Sequence, residues 1–396
     1  VASRDILDVR GIKLWASGQQ VSAALSERLR ARKLMRPLEV CLKAEDGVTP
    51  LLLRDQLDLT LQADGALAQL LRPHARVLSE QLASLPMHSV VQLILTATLA
   101  SQEGSLEHAV DAMALAGAMC AHRKRPISEV RLCMLAGLIH DIGELYIDPA
   151  FAADAQPSDL LAYRHMAMHP RFAQLLLEAT TDYPQNVARA VAEHHERLDG
   201  SGYPGRVGVP DISPMGRIVS IAESSLAVLR TRSATPLSDV TFALRLVPGE
   251  YDLDWAGLQF DGARQLSAGA AQPHSSGPGM GLQATLLRLT NLRQRLSAGT
   301  QIANDMRMGT LGLKGLDIAV TALDRMHRLD AALNSMGFWS HRLDHLAEPD
   351  AHELQQAAQE IEIRLRHLRR DCLLLSEGLD APDAAKLQAL CAELAT

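Results

Sequence analysis

The chain has 396 residues, of which 47% are hydrophobic, 21% charged and only 3% aromatic, enough for two or three domains at roughly 150 residues each. That globular balance excludes long disordered tracts and collagen-like repeats, and an apolar set dominated by Ala and Leu leans all-α. Lys+Arg 39 against Asp+Glu 46 gives a formal charge of -7, which argues against a surface for a nucleic-acid polymer and leaves room for a local basic pocket for a small anion.

Residues 1–20 carry Arg4, Asp5, Asp8, Arg10 and Lys13 and no apolar core, so no signal peptide is read there. The chain begins at Val1 rather than Met, which suggests an excised fragment with a domain upstream. Residues 1–85 alternate short apolar stretches with turns at Gly11, Gly18, Arg36-Pro37 and Asp46-Gly47. Val21, Leu25 and Leu29 place a helix over 21–34, and the segment reads as a small, mostly helical N-terminal module. The longest apolar run, Val90 to Ala100, is too short to cross a bilayer and reads as a buried helix, so no membrane insertion is expected. Residues 86–266 form a second domain of successive helical patterns. Residues 267–282, SAGAAQPHSSGPGMGL, have no periodicity and read as a flexible linker.

Residues 283–396 return to helix. Leu354, Ala358, Ile361, Leu365, Leu368, Cys372 and Leu375 alternate spacings of four and three, an a/d seam. The plain reading is one helix of a C-terminal bundle with an interaction or regulatory role; the sharper reading is a homodimer seam. Cys41, Cys120, Cys133, Cys372 and Cys391 are odd in number and contain no CxxC pair. Free thiols in a reducing compartment, the cytoplasm, fit them better than disulfides.

The chemistry concentrates in the middle domain. His108, the pair His140-Asp141, His169, the pair His194-His195 and Glu223 follow one another at gaps of 25 to 32 residues. Each gap is one helix out and one back, so the side chains can converge inside a bundle. Imidazole and carboxylate without thiolate suit Fe, Mn, Ni, Co or Zn. Seven donors are too many for one four-coordinate ion and reasonable for two. Asp141 ends the apolar stretch LCMLAGLIHDIGEL, where burial without a partner would be costly. His341 and His345 flank Asp344 at helical spacing and read as an exposed polar face. Trp15 and Trp339 read as core or interface anchors, and Arg123-Lys124-Arg125 as a solvated helix end.

LIHDIG at 138–143, HP at 169–170 and HHERLDGSGYPG at 194–205 together resemble the HD-GYP branch of the HD metal-dependent phosphohydrolases, over roughly residues 95–265. The resemblance implies an all-α HD-type bundle holding two divalent transition metals, Fe or Mn foremost. It implies hydrolysis of cyclic di-GMP to pGpG and onward to GMP, with a bridging water, activated by ions about 3.5–4 Å apart, attacking phosphorus. His140 and Asp141 would be the catalytic pair. One metal would take His108, His140, Asp141 and Glu223; the other would take His169, His194 and His195, with Asp141 bridging. Asp199, Gly200, Gly202, Tyr203 and Pro204 would form a loop beside the substrate, and Arg232 would contact phosphate. The same loop would be the docking surface for a diguanylate cyclase domain.

Four departures from the family pattern stand out. Glu144 replaces the lysine of HDIGK and would repel a phosphate. Glu223 replaces an aspartate, Leu226 stands where the same motif has a further acid, and Asp111 replaces the arginine of HxxR. Gly104 occupies the place of a third-metal glutamate, which favours a two-metal site. These changes support an alternative: a catalytically weak or degenerate module that folds around metal and signals by binding nucleotide or a partner protein. Hydrolysis of another phosphoester is a third reading.

Overall fold

The structure, a computed structural model, describes residues 1–152, 160–231, 233, 235–269, 282–309, 311–338, 348–376 and 378–395. Two short strands open the chain. β1 (Ile6–Leu7) pairs antiparallel with β2 (Lys13–Trp15), Ile6 opposite Trp15. The Asp8 carboxylate accepts the amides of Arg10 and Ile12, both at 2.9 Å, and so closes the hairpin loop. Helix α1 (Ala23–Arg30) follows, capped by the Ser22 hydroxyl. Ala2, Ile6, Leu29, Leu38 and Cys41 form a small core of their own. This hairpin lies in a module read as mostly helical; strands of two and three residues are too short to display a period-two alternation.

Helices α2 (Pro50–Gln62), α3 (Ala66–Leu71), α4 (Ala75–Leu82) and α5 (Ser89–Ser101) come next. Thr49 caps α2, with Pro50 at its first position. Leu53, Leu57, Leu71 and Leu78 from these helices join one apolar core that continues to Leu258. Core packing is therefore continuous across residue 85.

The centre of that core is the helical hairpin α6 (Ser105–His122) and α7 (Ile127–Leu138). Ala109, Ala112, Ala114, Ala116 and Ala118 are buried on α6, and such small side chains let helices approach closely. A Cβ on Gly137 would lie 2.7 Å from the Ala112 carbonyl oxygen, and one on Gly117 would lie 2.5 Å from Met134 Cγ. On the hairpin pack α11 (Gln185–Glu193), α12 (Pro214–Leu229) and α14 (Gly257–Gly269), with α10 (His169–Thr180) against α11 and α13 (Pro236–Arg245) against α12, while α8 (Pro149–Ala152) packs on α9 (Leu160–Met166). Helix α14 runs through the first three residues read as linker; residues 270–281 lie outside the described residues.

A second core belongs to α15 (Leu282–Met308), α16 (Leu313–Ser335), α17 (Glu348–Leu375) and α18 (Ala381–Glu393). The α17 seam residues Leu354, Ala358, Ile361, Leu365, Leu368 and Cys372 are all buried in it. Each large aliphatic side chain so buried contributes about 1.5–3 kcal/mol. The seam is spent within the chain's own bundle, which leaves it unavailable to the homodimer that the spacing also allowed. Leu246 and Val247, just past α13, join this second core. His341, Asp344, His345 and Trp339 lie outside the described residues. All five cysteines are free and buried, and no described helix is long and apolar enough to cross a membrane.

Asp111 on α6 is a structural group. It is buried and accepts a 2.9 Å hydrogen bond from the Thr60 hydroxyl of α2. Burial, opposed by that bond, lifts its pKa to about 6. The folded protein holds this proton more tightly than an unfolded aspartate of pKa about 3.9, so stability is greatest below that value and falls by about 3 kcal/mol as pH rises through 6. Asp111→Asn keeps an acceptor for Thr60 and removes the ionisation. Its melting temperature should match the wild type near pH 4 and exceed it by several degrees at pH 8; an equal difference at both pH values would refute this account.

Candidate metal centre

The candidate ligands sit at helix ends. His108 lies in the first turn of α6, behind Gly104, whose φ of +76° suits glycine. His140 and Asp141 stand just past α7, in turn conformation; helix α7 ends before Ile139, at φ -114°. The pair is thus not carried on successive positions of a helix. His169 opens α10, His194 follows α11, and Glu223 alone projects from mid-helix, on α12.

Three of the imidazoles are aimed in the same manner. Nδ1 of His140 donates to Gly137 O at 2.8 Å, that of His169 to Met166 O at 2.7 Å, and that of His194 to Val191 O at 2.6 Å. These carbonyls belong to the last turns of α7, α9 and α11, where helices leave acceptors unused. With the proton on Nδ1, each Nε2 presents a lone pair to the interior.

The donor atoms gather in two groups. In the first, His108 Nε2 lies 3.1 Å from His140 Nε2 and 3.2 Å from Glu223 Oε2. In the second, Asp141, His169, His194 and His195 each offer a donor atom within 4.8 Å of the others. Asp141 joins them: Oδ2 is 3.0 Å from His108 Nε2 and 2.9 Å from His140 Nε2, while Oδ1 is 3.3 Å from both His169 and His194. All seven sequence-derived candidates therefore meet at one place.

This arrangement fits divalent cations. Nε2 of His169 and of His194 are 3.1 Å apart, and both have their Nδ1 proton committed elsewhere, so two lone pairs face each other unless a proton or a cation lies between; against burial, the Asp141 carboxylate raises the pKa of His169. His108 Nδ1 is buried without a hydrogen-bond partner, and such an omission costs about 1–3 kcal/mol. Protons stand in for part of that charge. Burial opposes charging His108, yet the carboxylates of Asp141 and Glu223 lift its pKa to about 9. His140 is raised against burial by the same two groups. Asp141 and Glu223, despite burial, are held well below the carboxylate range by the imidazoles. Burial drives His194 down to about 4 and His195 well below the ordinary imidazole value.

Two backbone contacts hold the groups in register. A Cβ on Gly143 would lie 2.0 Å from the His169 carbonyl oxygen, so only glycine lets the turn after Asp141 press on the start of α10. A Cβ on Gly202 would lie 2.4 Å from His195 O, which seats the 199–206 loop against the histidine pair. There the Tyr203 amide donates to His195 O at 3.1 Å, and its ring stacks on the His195 imidazole, centroids 4.5 Å apart. Glu196, inside the motif but given no role by sequence reasoning, accepts the amides of Gly205 and Val207. Arg197 donates to Ser220 and Ser224 on α12, the helix of Glu223. Both were visible only as charged letters inside HHERLDGSGYPG.

The remaining candidates fall apart in space. Asp199 and Ser201 line a cavity of about 50 Å³ shared with α16 and α17, and the Gly200 carbonyl accepts a bond from Arg325 of α16. Pro204 follows Tyr203 through a cis peptide bond. Arg232 lies outside the described residues. Leu226 is buried in the apolar core. Arg125 pairs with Glu129, and Arg123 lies over Trp255. Glu144, three residues past Asp141, is coupled to the centre by charge: burial and the Asp141 charge raise its pKa to about 7, opposed by His169, His140 and His108.

Known proteins resemble parts of this chain, and the family match covers the residues of the site. The model of the HD domain family matches residues 66–245. A 3'3'-cGAMP-specific phosphodiesterase of Vibrio cholerae is 29% identical over 29% of this chain and 30% of its own length. A cyclic di-GMP phosphodiesterase of Pseudomonas aeruginosa is 29% identical over 40% of this chain and 39% of its own. A cyclic di-GMP phosphodiesterase response regulator of Xanthomonas campestris is 32% identical over 26% of this chain and 28% of its own. The chain spans less than half the length of each.

Because metal ligands must be deprotonated, cations must expel the protons of His108 and His140. Calorimetric titration of metal-stripped protein with Mn(II) at pH 7 should release at least one proton, read as a dependence of the heat on buffer ionisation enthalpy. Affinity should weaken about tenfold for each pH unit lost below 9 per proton expelled; uptake indifferent to buffer and pH would contradict the protonation pattern. Gly143→Ala should cost about 1–3 kcal/mol or more through backbone collision and weaken Mn(II) uptake, and an unchanged melt and titration would remove that contact from the account.

Proposed function

We propose that this chain, whose residues 66–245 are an HD domain, is a metal-dependent phosphodiesterase that hydrolyses cyclic di-GMP to pGpG, with GMP as a further product. The observation that supports this reading most is the Asp141 carboxylate, which places one oxygen in each of two histidine-rich donor groups. His108, His140, Asp141 and Glu223 would hold one divalent cation; Asp141, His169, His194 and His195 would hold the other. When bound, two such ions, with Fe and Mn suiting the donor set, supply Lewis acidity toward a phosphoryl group and a nucleophilic water at neutral pH.

The chain's own residues do the positioning. Asp141 ties the two groups by sharing its carboxylate. The Nδ1 bonds of His140, His169 and His194 fix their rings, so little reorganisation remains for the reaction. Tyr203 covers His195 on the loop side and keeps water from that face. A cytoplasmic location suits the five unpaired thiols.

One observation favours the weaker alternative, a module that binds nucleotide and turns it over slowly. Glu144 adds a carboxyl three residues past Asp141, and burial and the Asp141 charge raise its pKa. Like charges at 4 Å cost about 4 kcal/mol at an effective dielectric of 20, more than the roughly 1 kcal/mol net of one hydrogen bond. An anionic Glu144 would therefore oppose a phosphodiester more than a single compensating bond could offset.

The test is turnover. Full chain loaded with Mn(II) or Fe(II) is incubated with cyclic di-GMP and, separately, with 3'3'-cGAMP, and the linear dinucleotide is sought by chromatography. Asp141→Ala should lose at least about 100-fold, since one carboxylate serves both groups. Bound metal and bound nucleotide with no product would favour the binding module. Glu144→Lys should raise kcat/KM about tenfold or more; an unchanged value would remove the charge argument.

A further inference from the structure

The C-terminal helices reach the metal centre's own loop. Asp371 on α17 is buried and bridges two arginines. One oxygen accepts Arg206 of the 199–206 loop at 3.2 Å, and the other accepts Arg325 of α16 at 2.5 Å. The second arm of the Arg325 guanidinium donates to the Gly200 carbonyl oxygen at 2.7 Å. Gly200 sits at φ +75°, a conformation that turns the carbonyl toward α16. Beside these contacts, the Arg370 guanidinium of α17 lies 4.8 Å over the Tyr163 ring. Tyr163 meets Tyr203 edge-on at 6.2 Å, and Tyr203 stacks on His195.

A continuous set of contacts thus runs from α16 and α17 to one candidate ligand. The cavity of about 50 Å³ left between loop and bundle has room for a few waters and none for a nucleotide. The outer face of the loop is therefore an internal interface, and any protein docking there would have to displace α16 and α17.

We infer that Arg325 and Asp371 are positioning residues that hold the 199–206 loop from the C-terminal bundle and, through Tyr203, fix His195 for metal binding. This rests on the reading of Asp141, His169, His194 and His195 as metal ligands. Charge-assisted bonds to a carbonyl are stronger than neutral ones, and the fork of Arg325 satisfies loop and α17 at once. Lysine, a point donor, could serve one of them but not both.

A double-mutant cycle on the full chain tests the assignment, with Mn(II) affinity by calorimetry as readout. Arg325→Ala should weaken Mn(II) binding about tenfold to 100-fold, the range for groups that orient metal ligands, and Arg325→Lys should fall between it and the wild type. In a His195→Ala background, Arg325→Ala should have no further effect, because the residue through which it acts is gone. A general loss of stability would instead add in both backgrounds. Where Arg325→Ala does not fold, the double change Arg325→Met with Asp371→Leu exchanges the buried pair for apolar side chains and should show the same loss. Wild-type affinity in the Arg325 variants, or additive effects, would overturn the inference. Wild-type protein that takes up no Mn(II) would overturn it together with the metal reading, whereas Mn(II) uptake without hydrolysis would sink only the phosphodiesterase reading.

Discussion

A half-buried carboxylate set among imidazoles, three of which bind backbone carbonyls through Nδ1, is the arrangement the rest of this molecule serves. Protonated His108 and His140 lie 3.0 and 2.9 Å from Asp141 and hold its pKa well below the carboxylate range. Three of the histidines around it have spent their Nδ1 proton on backbone carbonyls, and what faces Asp141 is acceptor against acceptor unless protons or cations intervene. The fold supplies those carbonyls by ending α7, α9 and α11 at the rim of the same pocket. Unused acceptors at a helix terminus are ordinarily a cost; here each becomes the fixed support of a ring. This explains why His140, His169 and His194 follow helix ends, whereas His108 in the first turn of α6 and Glu223 on α12 project from helices themselves.

The second requirement is proximity of backbones, and it is met with glycine. Gly137 and Gly117 let α6 and α7 close on each other, which brings His108 and His140 to 3.1 Å between Nε2 atoms. Gly143 and Gly202 do the same for the turn before α10 and for the loop over His195. At each of these four positions a single added carbon would strike backbone or a packed side chain, so the centre depends on close approach as much as on its donors.

How much of this could be read from the sequence follows from the range of the interactions. Seven donors at regular gaps, four of them in two adjacent pairs, announced a convergent site, and the Ala- and Leu-rich helices announced the bundle. The N-terminal hairpin did not show, because its strands are shorter than any period. Nor did the union of α2 to α5 with the middle domain, since Leu53 and Leu78 look like residues of any amphipathic helix until their partners are known. The contact of Arg325 with Gly200 spans 125 residues and leaves no periodic trace. Glu196 and Arg197 were visible as letters of a motif, but their work, holding a loop by its amides and tying it to α12, is geometry that spacing cannot encode.

The departures from the family pattern are not equivalent once placed. Leu226 lies in the apolar core, and Asp111 is turned to Thr60 on α2, so packing has absorbed both. Glu223 still reaches His108 and His140 despite its extra methylene. Glu144 is different, because its carboxyl adds to the field where a phosphodiester would sit. With two divalent cations in place, the carboxylates of Asp141, Glu223 and Glu144 would leave a single formal positive charge, where a lysine at that position would leave three. An electrostatic centre of this kind binds and activates an anionic substrate in proportion to that surplus. Among the departures outside the ligand set, Glu144 is therefore the one whose charge is coupled to both donor groups, through Asp141, His169, His140 and His108.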